Sequence, residues 1–88
     1  MESRVAVIGI IVEDMDMASK VNAILHDYSS CILGRMGIPY REKGVSIISI
    51  AVDAPQDVIS TLSGRIGRLS GVSAKTAYSS LITGGEKQ

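Results

Sequence analysis

Apolar residues in this chain fall into segments of two different periods. Val5 to Val12 (VAVIGIIV) is β-branched and almost continuously apolar, which predicts a strand in the middle of a sheet. Glu13-Asp14-Met15-Asp16 breaks the run and supplies Asp14 or Asp16 as a helix N-cap. Met17, Val21, Ile24, Leu25 and Tyr28 then recur at helical spacing, predicting a helix over residues 15–28. Asp16 and Lys20 sit four apart on its outer side, in the favourable order. A second strand is expected from Cys31 to Tyr40; Gly37 and Pro39 weaken its pairing and predict an edge position or a bulge. Arg41-Glu42-Lys43-Gly44 reads as a hairpin turn with Gly44 at positive φ, leading into a third strand from Val45 to Val52.

Asp53-Ala54-Pro55 opens a second helix whose apolar stripe is Val58, Ile59, Leu62, Ile66 and Leu69. Gly64 and Gly67 interrupt it at roughly 1 kcal/mol each relative to Ala. Arg65 and Arg68 suit the negative end of its dipole, and Gly71 is the expected C-cap. Val72 to Tyr78 predicts a fourth strand, with Gly84 to Gln88 as a loose tail.

The order is β-α-β-β-α-β, with about 18 or 19 residues in each helical crossover. That order predicts an α+β, ferredoxin-like sandwich: a four-stranded antiparallel sheet with both helices on one face. Residues 1–88 form one domain on this reading, with an ordered core over about 4–80 and a flexible tail over 83–88.

One sheet face then has no helix to cover it. The first and third strands are apolar at both parities: Val5, Val7 and Ile11 against Ile8, Ile10 and Val12, and Val45 and Ile47 against Ile48, Ile50 and Val52. Composition sharpens the problem. Apolar residues make up 45% of the chain and charged ones 20%, with mean hydropathy +0.27. A chain of this length buries only about 60% of its unfolded surface. The expectation is a homodimer at minimum, packed sheet to sheet. Tyr78-Ser79-Ser80-Leu81-Ile82, apolar beyond the fourth strand, is expected to extend across a neighbouring subunit.

Nine basic residues balance nine acidic ones, and Phe and Trp are absent, leaving three Tyr as the aromatic content. Neither a basic field nor stacking rings are available, so no direct nucleic-acid binding by this domain is expected. The apolar run at Val5–Val12 is too short to span a membrane and lacks a signal-peptide cleavage pattern. A single cysteine, Cys31, permits no intrachain disulfide, and a cytoplasmic location is expected.

Chemistry-bearing residues are sparse. His26 and Cys31 are the only soft metal donors, too few for a closed site, so no metal and no cofactor is expected. Arg35, Tyr40, Arg41 and Lys43, with Gly34 and Gly37 allowing close backbone approach, are the candidate site for an anionic ligand or acidic partner. The blander reading is a solvated edge hairpin whose charges discourage aggregation. No phosphate-loop motif occurs, and no Ser, His and acid fall at a useful spacing, so the protein is not expected to be an enzyme.

Arg4–Glu13 (RVAVIGIIVE), Gly34–Gly44 (GRMGIPYREKG), Val45–Ile50 (VSIISI) and Leu62–Lys75 (LSGRIGRLSGVSAK) resemble the family of iron-only hydrogenase system regulators over nearly the whole chain. The resemblance implies a fold similar to ACT domains and to the C-terminal domain of the nickel-responsive repressor. It also implies an oligomeric regulatory module that senses an unidentified small-molecule effector, with a tetramer following by analogy with that repressor. The His-rich metal set of the repressor is missing here, and Glu13-Asp14-Met15-Asp16 stands where ACT domains carry a glycine-containing turn. Any transcriptional role would then need a partner. The competing readings are a metal-responsive module and a purely structural interaction domain.

Overall fold

The central strand, β1 (Ser3–Val12), is hydrogen-bonded on both sides, to β3 (Val45–Ala54) and to β4 (Val72–Thr83), each antiparallel. The edge strand β2 (Ile32–Tyr40) pairs antiparallel with β3, giving the order β2-β3-β1-β4. Between them run the helices α1 (Ala18–Asp27) and α2 (Gln56–Gly67). The structure is a computed structural model and describes residues 2–83. The expected α+β, βαββαβ sandwich is what the chain forms. The expected tail at 84–88 lies outside the described residues, whereas Thr83 is the last residue of β4.

Alternation along β1 and β3 decides which side is core. Ala6, Ile8, Ile10 and Val12, with Ile48, Ile50, Val52 and Ala54, are buried against the helices. Val21, Ile24 and Leu25 of α1 and Ile59, Leu62 and Ile66 of α2 close over them. No aromatic residue joins the fully buried set, so aliphatic burial supplies the stability, at roughly 1.5–3 kcal/mol per side chain.

Several boundaries differ from the sequence expectation. The first helix begins as a single 3-10 turn, Met15–Met17, capped by Asp14, whose carboxylate accepts from the Asp16 amide at 3.0 Å. Ser29–Cys31 forms another 3-10 turn, so β2 starts at Ile32. The pairing of β2 slips between Ile32 and Gly34, and the strand lies at the edge as Gly37 and Pro39 foretold. Gly44 adopts the left-handed conformation, φ 66°, in the hairpin.

Gly71 is not the cap of α2. That helix ends at Gly67, and Gly71 (φ 71°) instead shapes the turn into β4, where its carbonyl accepts from the Glu13 and Asp14 amides at 2.7 and 3.2 Å. The fourth strand also runs further than expected. Arg4 faces Ile82 and Ser3 faces Thr83, after a register shift between Arg4 and Ala6. Tyr78, Ile82 and Thr83 thus pair with β1 of the same chain, and residues 79–81 bridge the shift between them.

Candidate functional site

The face of the sheet opposite the helices is bare. Odd-numbered residues of β1 point to it, and Val5, Val7 and Ile11 are 40–44% exposed. Ile47 on β3 and Met36, Ile38 and Tyr40 on β2 are exposed beside them. Small residues flatten its middle: Gly9 faces Ser49, and Val7 lies between Ala51 and Ala77. A shallow depression of about 200 Å³ forms where Gly34 lacks a side chain, next to Met36, Ser49 and Ala51. Exposed aliphatic surface of this continuity is characteristic of an interaction site.

The basic hairpin is not one cluster. The two-residue period of β2 separates its members. Arg35 faces Ile50, so it lies on the helix side, whereas Ile38 faces Ile47 and Tyr40 faces Val45 toward the bare side. The Arg35 guanidinium donates to Asn22 Oδ1 on α1 at 3.0 Å. Together with Leu25, His26, Ser29 and Ile32 these two residues line a cleft of about 310 Å³ between α1 and the edge strand. Tyr40 and Arg41 instead border a pocket of about 180 Å³ at the hairpin tip, with Met15, Pro39, Gly44 and Val45. There the Tyr40 hydroxyl donates to Glu42 at 2.9 Å, and Arg41 and Lys43 are exposed in the 3-10 turn Arg41–Lys43. Gly34 and Gly37 are open to solvent, with nothing within 4 Å of an added Cβ.

Sequence reasoning grouped Arg35 with Tyr40 by proximity along the chain and missed Asn22 and Ser29. The signal was present: at period two, residues 35, 37 and 39 share one face and 34, 36, 38 and 40 the other. Asn22 and His26, one helical turn apart on α1, were the residues to set beside Arg35.

Among the described residues, no three His, Cys, Asp or Glu side chains lie close enough to hold an ion. The Cys31 thiol donates to the Tyr28 carbonyl at 3.3 Å. Burial pushes that thiol up from its usual pKa, against a smaller opposite pull from a backbone hydrogen bond. A protonated, half-buried thiol is a poor nucleophile and a poor ligand. Arg65 lies over the Tyr28 ring, 5.5 Å from its centre, and pairs with Asp27 at 3.4 Å, which ties α2 to the end of α1.

Comparison with known proteins fits this architecture. The profile of the TM1266-like family, described as iron-only hydrogenase system regulators, matches residues 4–76. The structure of TM1266 from Thermotoga maritima, an uncharacterized protein, is similar with TM-score 0.82 and 40% identity, over 86% of this chain and 96% of that one. A formyltetrahydrofolate deformylase from Pseudomonas putida KT2440 shares the fold alone, with TM-score 0.59 and 15% identity, over 83% of this chain and 28% of that one. None of the curated proteins compared matches the chain.

Proposed function

Because the chain belongs to the TM1266-like family of iron-only hydrogenase system regulators, we propose that it works as an oligomeric regulatory module that senses a small anion. The family is one of regulators rather than enzymes, and the residues support binding rather than catalysis. The bare apolar sheet face carries this reading, because a monomer would leave Val5, Val7, Ile11, Ile38 and Ile47 in water. A second copy of the chain covers that face.

The ligand site is the cleft between α1 and β2. Arg35, steadied by Asn22, offers its remaining N–H groups to a carboxylate or phosphoryl group, while Leu25 and Ile32 give an apolar floor. Ligand there would bridge the first helix and the edge strand, so that occupancy alters the strand that borders the pairing face. With nine basic residues against nine acidic, the domain acts on transcription or hydrogenase maturation through a protein partner. A lone, half-buried thiol suits the reducing cytoplasm.

Native mass spectrometry of the protein purified from its own host tests this. The expected result is a dimer or tetramer carrying a small organic anion that is lost from the Arg35→Gln variant. A monomer would overturn the oligomer. Anion retained by Arg35→Gln would overturn the site.

A further inference from the structure

Among the described residues, the bare face carries charge at only two places within its paired rows, and those two are related in a way that suits a second copy of the chain. Asp53 on β3 faces Val5 of β1, and Lys75 on β4 faces Gly9 of β1. Asp53 Oδ1 is buried with no hydrogen-bond partner among the described residues. That oxygen is closed off by its own chain, so a cation from a second copy would act on the half-buried carboxylate from its other side, offsetting the cost of the oxygen left without a donor. Lys75, exposed and outside any ion pair among the described residues, cannot serve within its own chain. The two lie two strands and four residues apart, which is about 16 Å at ordinary sheet spacing.

We infer that two copies pack face to face about a two-fold axis over Val7, which lays Asp53 of each on Lys75 of the other. This rests on the self-association proposed above and specifies its geometry. Val7 is the midpoint of the Asp53–Lys75 line, since β1 lies between β3 and β4 and residue 7 lies between 5 and 9. An axis in the interface plane, perpendicular to that line, exchanges its two ends, so both ion pairs form at once, as a two-fold interface requires. Val7 then meets its own counterpart. Its neighbours across both ladders are Ala51 and Ala77, small enough to let the two valines approach. The Asp53–Lys75 line lies roughly 36° from the strands, so the two sets of strands cross at about 70°, near the orthogonal class of sheet packing. Two four-stranded faces crossing at that angle overlap over roughly 400 Å² per copy by strand spacing, about 800 Å² in all, in the range of small, weaker interfaces.

Sedimentation equilibrium at micromolar concentration, on wild type and charge-reversed chains, separates this geometry from the underlying dimer. Asp53→Lys and Lys75→Asp should each weaken self-association at least tenfold. Mixing the two variants should restore dimers, and the double variant should pair with itself, because each arrangement sets a cation against every anion. A dimer indifferent to all of these overturns the ion-pair geometry and leaves the dimer standing; a monomeric wild type overturns both. Should Asp53→Lys fail to fold, Val7→Cys in a Cys31→Ala background supplies an independent measurement. Two such thiols meet directly at the axis, so mild oxidation should join residue 7 to residue 7 of the second copy by a disulfide. Absence of that crosslink in a dimeric sample overturns the axis position.

Discussion

Gly71 is pressed against Asp14: a Cβ built on Gly71 would stand 2.6 Å from the Asp14 Cβ and 3.2 Å from its backbone nitrogen. The turn before β4 thus packs directly on the turn after β1, and the Gly71 carbonyl binds both Glu13 and Asp14 amides. Gly71→Ala meets a left-handed φ and a backbone clash together. It should cost about 2–4 kcal/mol in urea unfolding. Gly44→Ala is the control, since Gly44 shares the positive φ in open space; it should cost only about 1 kcal/mol. Equal losses at the two positions would show that the Gly71–Asp14 contact contributes nothing.

Thr76 Oγ1 is the other buried oxygen without a partner among the described residues, and its residue faces Ile8 of the core row. Thr76→Val replaces an unsatisfied hydroxyl by a methyl of similar shape. Stability should stay level or rise, by up to about 1 kcal/mol. A clear loss by calorimetry would reveal a hydrogen bond that the hydroxyl makes in solution.

The raised thiol pKa of Cys31 fixes the sign of a pH effect. Folding favours the protonated thiol, so its contribution is complete below the unfolded pKa, about 8.5. That contribution is lost as pH rises through the higher folded value. Alkaline unfolding should therefore begin at higher pH in Cys31→Ala than in wild type, measured against each protein's own stability at pH 7. Alkylation of Cys31 in the folded protein should also be slower at neutral pH than for an unstructured thiol.

The Arg65–Asp27 pair joins the two helices, but both side chains are well exposed, at 39% and 56%. Solvent screening should hold the cost of Asp27→Asn to about 0.5 kcal/mol or less. Arg65→Ala should cost more, because it also removes the packing over Tyr28. Chemical denaturation of the two variants compares them directly.

The element order, the edge character of β2 and the bare sheet face were legible in the residues themselves. Each is written in local terms. Periodicity marks strand or helix, Gly37 and Pro39 weaken pairing wherever they occur, and apolar residues at both parities expose one face whenever helices cover the other. The hairpin glycine at 44 was equally plain, since its turn closes within four residues. What the sequence could not fix were relations between residues far apart along the chain. The packing of Gly71 on Asp14, the return of Ile82 and Thr83 to β1, and the meeting of Arg35 with Asn22 all follow from how distant segments register on one another. Register comes from the whole core settling at once. Hydrophobic burial drives that settling without regard to direction, and only the assembled sheet decides which polar atoms end beside which.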